Sequence, residues 1–272
     1  MSEDRCQSCQ TPFAGGFCHG CGERKLEDGQ RKVSVLFGQL LEEVSSLDGK
    51  LFRTAKAFMM RPGELSLAHY RGVRKPYIRP LTLFLLINVL YFLVSNLTDF
   101  ALPLHDQKLQ PYGGWLTAII ENEIATSGKT FDELAVVYNM TSELVAKSIV
   151  IISVPFLVPF VWLINPQRRF YLIDHTVFSV HIYSFVLVWP MVLVALNTVI
   201  ALLKPDGALS LWYPALMLFP PLFIYSFFAQ KKMYGGGILV SLAKAFIIFV
   251  GVGVSHFIYR FIQFWLVWWQ VT

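Results

Sequence analysis

Cys6-Gln7-Ser8-Cys9 and Cys18-His19-Gly20-Cys21 contain all 4 cysteines of this 272-residue chain. Two C-x2-C pairs separated by a short loop bring four soft thiolates within reach of one tetrahedral divalent ion. Zinc is the expected cofactor, in a closed structural site formed by Cys6, Cys9, Cys18 and Cys21. Iron or an exchangeable redox pair are the alternatives, but redox chemistry needs only one such pair. His19 is expected to face solvent, because a structural zinc site is full with four ligands. The spacer Gln10 to Phe17 holds Pro12, Gly15 and Gly16, which suit the turn of a β-hairpin. Gly22 follows the second pair, where a positive φ is often needed; Gln10 occupies the matching place after the first. A ribbon over residues 1–25 is too small to fold on apolar burial, so the metal must supply its folding free energy.

The rest of the chain has the composition of a membrane protein. Hydrophobic residues make up 55% and charged ones 15%, where soluble domains carry about 25% charged. The apolar excess follows Pro80. Five membrane spans are expected, at about residues 80–97, 148–164, 176–203, 211–229 and 238–268. The fold class is therefore all-α and integral to a membrane, with a small N-terminal zinc-ribbon hairpin. The opening Ser2-Glu3-Asp4-Arg5 does not lead into an apolar stretch, so no secretory signal is expected.

Charge sets the expected orientation. Residues 1–49 carry 5 basic and 8 acidic side chains, whereas residues 50–79 carry 8 basic and 1 acidic. Arg168 and Arg169 follow the second span, and Lys231 and Lys232 follow the fourth. Residues 99–147 hold 7 acidic and 3 basic side chains. Basic segments stay inside, so the N-terminus is expected in the cytoplasm and the C-terminus outside. Trp265, Trp268 and Trp269 would then lie at the outer interface. A reducing cytoplasm disfavours disulfides and supports metal binding by the cysteines. Within residues 99–147, Leu116, Ile119, Ile120 and Ile124 fit one helix ending near Ser127-Gly128. Asp132 to Val145 fits another, and together they predict a small outer cap.

Residues 26–79 predict an amphipathic, basic collar. Val33, Leu36, Phe37, Leu40, Leu41, Val44 and Leu47 form one apolar stripe. Leu51, Phe52, Ala55, Phe58 and Met59 resume it, and Pro62-Gly63 ends it. Such a helix beside a span is expected in the headgroup plane, or packed on the membrane domain. Arg71, Arg74, Lys75 and Arg79 are the expected contacts with anionic lipid headgroups. Nucleic acid is not expected as a partner, because topology already accounts for these charges.

The order of these features resembles a family of bacterial inner-membrane proteins classed as a domain of unknown function. The resemblance rests on the ribbon, Arg61-Pro62-Gly63, and the run Tyr70-Arg71-Gly72-Val73-Arg74-Lys75-Pro76-Tyr77-Ile78-Arg79-Pro80. Tyr171 to Phe185, with His175 and His181, is similar to the family's later His-rich motif. It implies a bacterial inner-membrane location, which makes the outside C-terminus periplasmic, and it transfers no activity.

Ionisable groups at membrane depth are rare and default to candidate sites. Asp174, His175, His181, His256 and Arg260 form the candidate intramembrane polar set. Asp174 and His181 are seven residues apart and share a helix face, as do His256 and Arg260; His175 and His181 do not. Asn88, Asn197 and Lys244 add further polar points, and Lys244 is expected to snorkel to the cytoplasmic surface. Against a functional site stands plain interhelical hydrogen bonding. No nucleophile, phosphate-loop or dinucleotide motif is present, and Gly235-Gly236-Gly237 reads as a turn. The expected role is a membrane-bound scaffold whose ribbon docks a cytoplasmic protein. A transporter or membrane-embedded enzyme using Asp174, His181 and His256 is the alternative.

Overall fold

The structure, a computed structural model, describes residues 4–6, 9–13, 19–21, 49–94, 102–203 and 214–272. Cys18, Gly15, Gly16, Gly22 and the Val33–Leu47 stripe lie outside the described residues. The chain divides into two compact units, Met1–Phe52 and Arg53–Thr272.

In the first unit, Asp4–Arg5 (β1) pairs antiparallel with Pro12–Phe13 (β2), with Asp4 opposite Phe13 and Arg5 opposite Pro12. The chain reverses between them through backbone bonds from Cys6 N to Thr11 O (3.0 Å) and from Gln10 N to Cys6 O (2.9 Å). Gln10 takes a φ of 61°, the left-handed conformation that glycine usually supplies.

The second unit is helical. Residues 49–60 form α1, whose start belongs to the first unit, and Glu64–Tyr70 form α2. Pro80–Val94 form α3, Leu104–Gln107 α4, Gly113–Ser127 α5 and Phe131–Ile149 α6. A single 3-10 turn, Val150–Ile152, leads into α7 at Ser153–Ile164. Leu172–Leu203 form α8, Pro214–Tyr234 α9 and Ile238–Val271 α10.

Two helices, α8 and α10, are long and apolar enough to cross a membrane. At 32 and 34 residues they run roughly 48–51 Å, against about 30 Å of hydrocarbon. Phe131–Ala146 and Val150–Ile164 make a third crossing if counted as one broken span, bent by 63°. The expected second span, residues 148–164, thus begins inside a bend and is not one straight helix. Pro155 has no N–H to offer the carbonyl of Ile151, four residues back, so the regular ladder is interrupted there. The expected first span appears as the shorter apolar helix α3, and residues 95–97 of it lie outside the described residues. The expected fourth span corresponds to α9, and residues 211–213 of it lie outside as well.

Two buried apolar clusters organise this unit. The larger joins Phe58 and Leu65 to Phe84, Leu157, Ile182 and Tyr225, so α1 and α2 contribute to the same core as the long helices. Of the stripe Leu51, Phe52, Ala55, Phe58 and Met59, Phe58 is buried and Met59 half-buried against the core, whereas Leu51, Phe52 and Ala55 are exposed. Thr54, Ala57 and Phe58 are buried, whereas Leu51, Phe52 and Met60 are exposed. The reason is that α1 packs on protein with one face, while its remaining apolar side chains stay available to the surroundings. The smaller cluster joins Leu104, Leu116, Ile120, Leu134 and Tyr138 to Phe264, Val267 and Trp268. The expected cap is therefore built on the last turns of α10. Gly128 ends α5 with a φ of 71°, and Thr130 opens α6 with a reciprocal capping box to Glu133. Trp115 stacks on Phe261 and meets Trp265, so the tryptophans belong to this packing.

Glycine permits two close approaches. On α10, a Cβ at Gly251 would meet the Phe160 side chain of α7 at 2.8 Å. At the entry to α2, Gly63 has a φ of 82°, and its Cβ would meet Ala229 O at 2.5 Å and Ala229 Cα at 2.9 Å. Gly63→Ala should therefore combine left-handed strain of about 1–3 kcal/mol with a backbone clash. Gly72 has a φ of 77° and open space around it, so Gly72→Ala carries the strain alone. Thermal unfolding of both variants in detergent should show the larger loss for Gly63→Ala; equal losses would remove the clash from the account.

Candidate functional site

The thiol cluster forms where the first backbone reversal ends. The sulfurs of Cys6, Cys9 and Cys21 all lie within 4.8 Å of one another. Cys6 Sγ and Cys21 Sγ are 3.4 Å apart, too far for a disulfide bond of about 2.05 Å. Ligands at about 2.3 Å from a tetrahedral zinc stand about 3.8 Å from each other, so the spacing fits a shared metal ion. Cys6 is buried, Cys9 and Cys21 are exposed, and His19 is exposed as expected. Cys9 Sγ also reaches Thr11 Oγ1 at 3.2 Å. Three closely placed cysteines can thus hold a metal, and the fourth expected ligand, Cys18, lies outside the described residues.

The intramembrane candidates are distributed among separate partners. Asp174 is buried at the start of α8, where its Oδ2 accepts from the backbone N–H of Tyr171 at 2.8 Å. His175 Nδ1 pairs with the Tyr234 hydroxyl of α9 at 2.8 Å, while its Nε2 has no partner among the described residues. His181 Nδ1 pairs with Ser66 Oγ of α2 at 2.8 Å, and both side chains are buried. Arg260 Nε donates to His256 Nε2 at 3.2 Å within α10, as their spacing predicts. Among the described residues, no hydrogen bond joins Asp174, His181 and His256 into one centre. The bonds to Tyr234 and Ser66 place His175 and His181 at the contacts of α8 with α9 and α2.

Sequence reasoning missed the partners in these contacts. Ser66 lies in Leu65-Ser66-Leu67-Ala68, all four of them buried. Its signal was a small polar residue inside an otherwise apolar turn. Asn165 and Gln230 form a reciprocal amide pair, with N···O distances of 3.2 and 2.8 Å, between the ends of α7 and α9. Lys244 donates to Asn165 Oδ1 at 2.9 Å, so its cation ends on this polar clasp. Tyr183 of α8 bonds Ser255 of α10, and Gln263 of α10 donates to Ser142 Oγ of α6 at 3.0 Å. Each pair ties two helices by a group that would be costly to leave unmatched in hydrocarbon.

The contact between α2 and the α8–α9 pair has the densest chemistry. Gly63 presses on Ala229, Glu64 pairs with Lys232 at 3.1 Å, and Ser66 meets His181. Burial, followed by the nearby Arg74, holds His69 below the ordinary imidazole value, while Asp174 pulls it up. A cavity of about 10 Å³ lies beside Ser66 and His181, lined also by Arg61 and Tyr225. That is near the smallest volume able to hold one water.

A family described as a protein of unknown function (DUF3667) matches residues 48–92. The match supports kinship with an uncharacterised family and spans α1, α2 and most of α3. It includes the Pro62-Gly63 step, while the His175–His181 segment lies beyond it. No curated protein and no solved structure matches the chain.

Ser66→Ala should leave His181 Nδ1 buried without its partner, at a cost of about 1–3 kcal/mol. Adding His181→Leu should cost less than the sum of the two single changes, because no orphaned group remains. Thermal unfolding across this double-mutant cycle measures the coupling; strict additivity would mean the pair contributes nothing.

Proposed function

We propose that this chain is a five-span inner-membrane scaffold whose N-terminal zinc knob docks a cytoplasmic protein. The carrying observation is the mutual proximity of the Cys6, Cys9 and Cys21 sulfurs. In this reading Cys18 completes a structural zinc site, so no position remains open for catalysis. The spans are α3, the α6–α7 pair, α8, α9 and α10, with the basic segments inside. Two further observations support a scaffold. Most of the buried polar side chains pair across helices, as packing contacts do. The cavity beside His181 admits about one water and offers no room for a substrate.

The second reading is a transporter or embedded enzyme built on Asp174, His181 and His256. Its support is the buried pairing of His181 with Ser66, an ionisable group at depth. The two readings separate by mutation. With a deletion phenotype in hand, Cys6→Ser with Cys9→Ser should abolish complementation, while His181→Ala and His256→Ala retain it in stably inserted protein. Essential histidines with a dispensable knob would reverse the choice.

Elemental analysis of protein purified without chelator should find one zinc per chain, lost in the Cys6→Ser, Cys9→Ser variant. Absence of stoichiometric metal in the unaltered protein would reject the zinc site.

Topology is tested with single cysteines on a background where the native four are serine. Lys129→Cys, in the exposed α5–α6 turn, should react with an impermeant thiol reagent from outside. Lys231→Cys, exposed near the end of α9, should react only after permeabilisation. The opposite pattern would reject the orientation.

A further inference from the structure

The loop between α2 and α3 is built as a rigid cationic turn. Its start is fixed by Arg71 N to Leu67 O (3.0 Å), Gly72 N to His69 O (3.0 Å) and Val73 N to Ala68 O (2.8 Å). Its far end is fixed by Ile78 N donating to Thr54 Oγ1 of α1 at 3.0 Å. Pro76 lies between these anchors, and Pro80 opens α3. The turn is pinned from behind by the buried Leu65–Ala68 segment of α2, which packs on α8 and α9. What it presents outward is Arg71, Val73, Arg74, Lys75 and Arg79, all exposed. Among the described residues, no carboxylate pairs with any of these four cations. Val73, 48% exposed, stands within the charged run, and Leu81, 54% exposed, begins the apolar helix immediately after it.

We propose that this turn is a preorganised binding site for an anionic phospholipid headgroup, with Val73 and Leu81 reaching toward the acyl region. Charge complementarity selects the occupant, because four exposed cations that no described carboxylate pairs with, on a fixed backbone, favour a phosphate-bearing anion. The interleaved aliphatic side chains favour a lipid over a nucleic acid, which would meet no use for Val73. Continuity with α3 puts the turn where an apolar helix begins, at the depth where headgroups lie. Both ends of the loop are tied before any ligand arrives, so ordering costs little on binding. This inference rests on the proposed spans only in placing α3 at a bilayer, and not on the zinc knob or its partner.

The test uses the full chain, purified in neutral detergent, with phosphatidylglycerol and phosphatidylcholine offered together and the retained lipid read by native mass spectrometry. The unaltered protein should retain phosphatidylglycerol in preference. Arg71→Gln, Arg74→Gln and Lys75→Gln combined should lower that preference at least roughly tenfold, since each cation near an anionic leaflet contributes to attraction. Lys129→Gln, at the α5–α6 turn, should leave it unchanged. Single Arg74→Gln and Lys75→Gln variants should give intermediate losses, which keeps the test valid if the triple variant unfolds. Val73→Asn should weaken retention with all cations intact. Equal retention of both lipids by the unaltered protein would overturn the proposal. Displacement of the lipid by inorganic phosphate or a short single-stranded RNA at equal phosphate concentration would also overturn it, assigning the turn to a soluble anion.

Discussion

The backbone of Gly63 lies against the backbone of Ala229, and the packing of α2 on α8 and α9 depends on that contact. A side chain at residue 63 would force α2 away from α9. Without the close approach, Ser66 would not reach His181, and Glu64 would not reach Lys232. The Pro62-Gly63 step and the histidines of α8 are therefore two sides of one interface, although more than a hundred residues separate them. This gives a physical reason for motifs that look unrelated along the chain. It also makes the family match over residues 48–92 intelligible, since that stretch carries the docking segment and the helix that follows it.

The polar groups at depth follow the same logic. In hydrocarbon an unmatched amide or hydroxyl is costly, so helices bearing such groups are held to the neighbour that satisfies them. Asn165 with Gln230 clasps α7 to α9, and Lys244 brings α10 to the same point. Tyr183 with Ser255, and Gln263 with Ser142, hold α10 to α8 and α6. Several serines instead satisfy themselves on their own helix, as Ser179 does on His175 O and Ser184 on Val180 O. The length of α10 adds a second consequence. It outruns a bilayer, and its last turns carry Phe264, Val267 and Trp268 into the cap formed by α4, α5 and α6.

Much of this was legible in the chain. The apolar runs marked α8 and α10, and Ser127-Gly128 marked the end of α5. The spacing of His256 and Arg260 gave their contact directly. Local pattern could not reveal which face of α1 is buried, because that depends on a distant partner. Periodicity marked Leu51, Phe52 and Phe58; packing buried Phe58 and, beside it, Thr54 and Ala57. Nor could it reveal the bend before α7, which an apolar count passes over. Ser66 escaped notice because one serine in an apolar turn is a weak signal until its histidine partner is known. At the N-terminus, Gln10 adopts the left-handed turn that its side chain did not advertise. The thiol cluster was the reverse case: spacing alone placed Cys6, Cys9 and Cys21 together.

The central claim is that α2 is a seated part of the membrane bundle and not a helix free on the surface. A cysteine pair across the interface tests it most directly, using Glu64→Cys with Lys232→Cys in full-length protein whose native cysteines are serine. The native side chains at these positions meet at 3.1 Å. In intact membranes, a short bifunctional thiol reagent should link this pair within one chain rapidly and nearly completely. A control pairing Lys232→Cys with Arg79→Cys should link far less. Linking no better than the control would mean α2 does not dock on α9, and the interface that unites the Pro-Gly step with the histidines would not exist.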